Sequence, residues 1–158
     1  MKTTSDMERL TYRLNLLARL AIDANDQIFK DNTGLSIREI RVLRLIDGNP
    51  GITFVELNDA ANLERSLTSR IIQTLLKADL ARRENDAADS RRFRLFSTSA
   101  GQAVRTKAHT ISDRLEDILL RPLDPGEIEA LDARLARLAD WVRSQAYRDA
   151  LAEWLTST

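Results

Sequence analysis

Ser66, Ser69, Arg70, Gln73 and Lys77 recur every three or four residues in the stretch RSLTSRIIQTLLK, so on a helix they share one face. Leu67, Ile71, Ile72, Leu75 and Leu76 fall on the opposite face. The polar face starts with small hydroxyl residues and continues with an arginine and a glutamine. Both longer side chains can make paired hydrogen bonds to base edges in a DNA major groove. Arg65 and Lys77, at the two ends of the stretch, are suited to phosphate oxygens. A helix exposed merely to water usually carries Glu–Lys pairs, whereas this face has no acid. A solvated face is the competing reading.

A second basic group follows at once. Leu80-Ala81-Arg82-Arg83-Glu84-Asn85 and Arg91-Arg92-Phe93-Arg94-Leu95-Phe96 flank the turn-rich Asp86-Ala87-Ala88-Asp89-Ser90. The second run alternates Arg92 and Arg94 with Phe93 and Leu95, the period of a half-buried strand. These runs predict a β-hairpin with Asp89 and Arg91 near its tip. Such a hairpin can lay an arginine into a minor groove; a surface hairpin with solvated arginines is the alternative. From Arg65 to Lys107 there are ten Lys+Arg against four Asp+Glu, although the whole chain carries 24 of each. The basic charge is thus concentrated in one segment between acidic flanks.

Other chemistries lack their residues. With one histidine, His109, and no cysteine, thiolate metal sites, disulfides and His-rich zinc sites are excluded. There is no Gly-rich phosphate loop and no nucleophile–base pairing, and the carboxylates sit mostly at helix starts and on exposed faces. We therefore expect no enzyme, no cofactor and no metal. No run approaches the roughly 18 apolar residues of a membrane span, so the expectation is a cytoplasmic protein with no membrane partner.

Capping signals mark the elements that must position these residues. Ser36-Ile37-Arg38-Glu39 and Thr53-Phe54-Val55-Glu56 are capping boxes, with Leu35/Ile40 and Ile52/Leu57 placed as hydrophobic staples. The first helix stops at the breaker cluster Asp47-Gly48-Asn49-Pro50-Gly51, and the second lasts about two turns before Asn62. Asn62 tolerates a left-handed backbone. The third helix, from about Glu64 to Asp79, carries the polar face. Short helix, tight turn and longer helix form the helix-turn-helix outline, and the following basic hairpin would be its wing. Thr98 is placed to cap the next helix.

Longer helices flank this centre. Leu10, Leu14, Leu17, Ala21, Ala24 and Ile28 form a heptad seam. Val104, Ala108, Ile111, Leu115 and Ile118 form a second. Ile128, Leu131, Leu135, Leu138 and Val142 form a third, opened by Asp124-Pro125-Gly126-Glu127 and running on toward Tyr147, Leu151 and Trp154. Three such stripes can be buried against a second copy or within an intramolecular bundle.

The order of elements, and the residues within them, resemble the MarR (multiple antibiotic resistance regulator) family of bacterial transcription factors over nearly the whole chain. The most specific likeness is the wing, where Asp89-Ser90-Arg91 is followed ten residues later by Gly101. Leu57 through Leu75 also follows the family's recognition segment. Departures are Ser90 where a second wing arginine is common, Ser97 for a usual Leu, Asp79 for a frequent Gly and Glu64 for a usual Ser.

The resemblance implies a mainly α fold with a small β-hairpin wing, in a single domain over 1–158. Residues 35–98 would be its winged helix-turn-helix part, and 5–31 and 99–155 its helical dimerisation part. It implies a homodimer on a palindromic operator in double-stranded DNA, acting as a repressor. Arg91 would enter the minor groove, oriented by Asp89, with Arg92 able to substitute for the charge missing at Ser90. Ser66, Ser69, Arg70 and Gln73 would face the major groove. It further implies release by a small aromatic or phenolic effector bound where the dimer helices meet the winged part; no residue identifies one. Tyr12, His109 and Trp141 are ordinary packing residues on this reading, and the lack of cysteine excludes peroxide sensing. The alternative is a helical adaptor using its winged part for protein contacts.

Overall fold

The structure, a computed structural model, describes residues 9–85 and 93–157. Its elements are α1 (Leu10–Thr33), α2 (Ile37–Gly48), β1 (Ile52–Thr53), α3 (Phe54–Ala61), α4 (Arg65–Lys77), β2 (Ala81–Asn85), β3 (Phe93–Ser97), α5 (Ser99–Leu120), α6 (Pro125–Arg143) and α7 (Gln145–Thr156). They fall into two compact units, residues 1–115 and 116–158, with α5 running from one into the other.

In the first unit the expected caps form. Ser36 and Thr53 each accept from the backbone N–H three residues on, and Glu39 and Glu56 reach back to the cap residues. The staple residues Leu35, Ile40, Ile52 and Leu57 are all buried. Hydrogen bonds from Thr53 hold the Glu56 carboxyl below its ordinary range. Asp26 of α1 accepts the Ile37 N–H at 2.8 Å and pairs with Lys30 at 2.6 Å, which ties α1 to the start of α2. The Lys30 hydrogen bond, followed by that from Ile37, holds the Asp26 carboxyl below its ordinary pKa.

Among the described residues, two non-glycine residues adopt left-handed backbone. Asn62 (φ 50°) closes α3, as expected, and Asp79 (φ 54°) turns the chain from α4 into β2. The core is built around Phe29, Leu43, Ile46, Leu57, Leu75 and Leu95, drawn from α1, α2, α3, α4 and β3.

The sheet has three strands rather than the expected two. β1 lies beside β3, which lies beside β2, all antiparallel. Ile52 stands opposite Leu95, and Arg82, Arg83 and Glu84 stand opposite Phe96, Leu95 and Arg94. The breaker cluster makes the extra strand possible. Gly51 takes φ 86°, which glycine adopts without penalty, and donates its N–H to the Leu95 carbonyl at 2.8 Å.

The three seams divide. On α5, Ala108 is buried and Val104, Ile111 and Leu115 pack against the first unit's own core. On α1, Leu10, Leu14, Leu17 and Ile28 are exposed. In the second unit, α6 begins as expected with Asp124 accepting the Glu127 N–H, but it does not run on toward Trp154. The helix breaks at Ser144, whose extended backbone and side chain, accepting the Tyr147 N–H at 3.1 Å, start α7. Trp141 and Tyr147 meet edge to face across the break, with centroids 5.9 Å apart. Neither α6 nor α7 has a buried residue, and Leu131, Leu135, Leu138, Val142, Leu151 and Trp154 are all exposed.

Candidate nucleic-acid interface

Helix α4 packs on α2, α3 and β2. Ile71, Ile72 and Leu75 are buried, Leu67 and Leu76 half-buried, and Thr68 is fully buried with its hydroxyl turned back to the Glu64 carbonyl at 3.3 Å. That anchoring leaves Ser66, Ser69, Arg70, Gln73 and Lys77 exposed along the outer side, as their spacing predicts. Thr68 was not expected in the core. Its place one turn before Ile72 and two turns before Leu75 is the signal that reveals it.

Arg65 is also exposed but stands apart from the stripe. Its guanidinium lies over the Phe54 ring, 4.9 Å from the centroid, which braces the start of α4 against the start of α3. Glu64, just before it, is the N-terminal flanking residue and makes no side-chain cap. The first turn of α4 contains no acid and its last turn carries Lys77. The outer face therefore presents hydroxyl, amide and cationic groups.

The hairpin follows α4 directly. One face of its strands carries Arg82, Glu84, Arg94 and Phe96. Arg82 pairs with Glu84 and lies over the Phe96 ring at 4.6 Å, while Arg94 donates to the Gly51 carbonyl at 3.2 Å. The other face carries Arg83 and Leu95, and Arg83 is exposed. Arg82, Arg83 and Arg94 were read as part of a basic hairpin but not as individual site residues; their strand positions add cations to β2 and β3. Asp89, Arg91 and Arg92 lie outside the described residues.

The turn from β3 into α5 is tightly made. Thr98 accepts the Gly101 N–H at 3.0 Å, capping α5, and donates to the Asp79 carbonyl at 2.6 Å. A cleft of about 360 Å³ lies among α1, α2 and α4, lined by Ile22, Asp26, Lys30, Ile37, Leu67 and Ile71. No group of residues that could hold a metal ion occurs among the described residues. Among them, no helix is long and apolar enough to cross a membrane.

Comparison with known proteins points in one direction. A family model described as the MarR family matches residues 33–92, which run from the end of α1 to the hairpin. Transcriptional regulator HosA of Escherichia coli O127:H6 (strain E2348/69 / EPEC) is 31% identical over 111 residues, covering 65% of this chain and 82% of HosA. A crystal structure of MarR superposes with TM-score 0.74 at 24% identity, covering 83% of this chain and 98% of that one. A structure of the S. aureus MepR–DNA complex superposes with TM-score 0.71 at 20% identity, covering 84% and 97%. At those identities the solved structures speak for the fold.

Proposed function

This chain belongs to the MarR family of transcriptional regulators, and on that premise we propose that it is a homodimeric repressor acting on a palindromic operator. It is a DNA-binding regulator and not an enzyme. The observation that carries the proposal is the outer side of α4, where Ser66, Ser69, Arg70, Gln73 and Lys77 are all exposed over a buried apolar side. In this reading Arg70 and Gln73 read base edges and the serines allow close approach. Arg65, Lys77 and the hairpin arginines neutralise phosphates. Arg91 reaches the minor groove, oriented by Asp89, and Arg92 supplies the charge missing at Ser90.

Residues 35–98 are the DNA-binding part, and 5–31 with 99–155 the dimerisation part. The exposed apolar residues of α1 and α6 support a partner of the same kind, since a second copy would remove both stripes from water. A two-fold dimer would set its recognition helices roughly 34 Å apart, one turn of DNA. Release by a small aromatic or phenolic molecule is supported by the cleft among α1, α2 and α4. Its wall includes Leu67 and Ile71 of the recognition helix, so an occupant could favour a helix position that does not fit DNA. A cytoplasmic location follows from this role.

The test is binding of labelled duplex DNA from upstream of the protein's own gene at several salt concentrations. We expect a specific complex that weakens with salt and that Arg70→Ala weakens by about 1–3 kcal/mol on the preferred duplex only. Equal affinity for every duplex, or no change in the variant, overturns the reading.

A further inference from the structure

Asp47, in the last turn of α2, has a side chain only 13% exposed, and its two oxygens serve two different elements. Oδ1 accepts from the Ser97 hydroxyl, at the end of β3, at 2.5 Å. Oδ2 lies 2.6 Å from Arg105 Nε on α5, an ion pair rather than an aligned hydrogen bond. One turn earlier on α2, Arg44 donates to the Ala108 carbonyl at 3.0 Å and the Ser112 hydroxyl at 2.7 Å, both on α5. Burial, and then the charge of Arg105, lower the pKa of Arg44 from its ordinary value. Asp47 is the acid paired with Arg105, while Asp113 offsets part of the charge on Arg44.

Ser97 is where the hairpin ends. The next residue, Thr98, is tied to the α4–β2 turn through the Leu80 and Asp79 carbonyls. Farther along, β3 is paired with β1 and β2 within the sheet. The bond from Ser97 to Asp47 ties the strand end outside the sheet, to α2, and charge-assisted hydrogen bonds are short and directional. We infer that Asp47 is a positioning residue for the hairpin. Through Ser97 and Arg105 it fixes the end of β3 against α2 and α5, and hence the base from which the hairpin extends. The consequence for binding rests on the DNA-binding reading; the geometry does not.

The experiment compares the full chain with Asp47→Ala, Asp47→Asn and Ser97→Ala, each alone and combined with Arg91→Ala at the hairpin tip. Two quantities are measured: backbone amide exchange, and affinity for a duplex selected by the unaltered protein from a random pool. Asp47→Ala should speed exchange over Phe93–Ser97 by about tenfold or more while leaving α4 protected. It should also weaken duplex binding by about tenfold, with no further loss when Arg91→Ala is added, because both changes remove the same tip contact. Asp47→Asn keeps an acceptor for Ser97 and should fall between.

Losses that multiply in the double variant would mean that Asp47 acts on general stability, and would overturn the inference. Unchanged exchange across β3 would overturn it as well. If Asp47→Ala does not fold, Asp47→Asn and Ser97→Ala decide by the same two measurements. If the unaltered protein selects no duplex, the DNA-binding reading fails and the exchange result alone decides the inference.

Discussion

Gly101 shows what one residue type does at this site. A Cβ added there would lie 2.0 Å from the Leu80 carbonyl oxygen, so α5 can cross the α4–β2 connection only if residue 101 has no side chain. Gly101→Ala should shift backbone rather than a side chain and cost about 1–3 kcal/mol, read as a lower denaturation midpoint in urea; an unshifted midpoint would contradict it. The spacing from Arg91 flagged this glycine by resemblance, but its reason is a contact with a residue 21 positions earlier. Arg91→Ala, if the wing reading holds, weakens operator binding by about 1–3 kcal/mol, measured by titration of a labelled duplex. Undiminished affinity would remove the wing from the site. The outer residues of α4 were legible because their spacing alone sets a face. Thr68 was not, because its type reads as polar and only packing shows that its hydroxyl is satisfied within the helix.

At the scale of elements, the capping boxes were the most legible feature, since a cap is made by residues three apart and needs nothing distant. Thr53→Ala should cost about 1 kcal/mol by freeing the first turn of α3. Glu56 and Asp26 both titrate below their ordinary ranges in the folded chain. Each therefore contributes stability that is present above its unfolded value and is lost as the pH falls through the lowered folded value. Glu56→Gln with Asp26→Asn should flatten the fall in stability below about pH 5. A slope as steep as that of the unaltered chain would show that neither group matters.

Strand β1 and the break at Ser144 were less legible for opposite reasons. β1 is two residues long and exists only because Leu95, more than forty positions later, accepts the Gly51 N–H. Ser144 has neither glycine nor proline beside it, so the apolar period of α6 reads on through it; the cap made by its side chain ends the helix.

For the whole molecule, the exposed apolar stripes are the main consequence of the fold. Leu135→Asp with Leu138→Asp should turn a dimer into a monomer in sedimentation experiments while the first unit keeps its helix content. A variant that still sediments as a dimer would move the interface elsewhere. Lys77→Ala should weaken all duplexes alike and lower the salt slope by about one; an unaltered slope would show that Lys77 is merely solvated.

The sequence by itself determined where the helices of the first unit start, the faces they carry and which residues share the outer side of α4, because periodicity and capping act over one or two turns. Only the tertiary structure decided which seams stay open and what fixes the hairpin. It turned α5 inward from Val104 to Leu115 and left α1 and α6 exposed. It also brought Asp47, Ser97 and Arg105 together from three elements. Such contacts depend on how elements pack, and no local pattern encodes that.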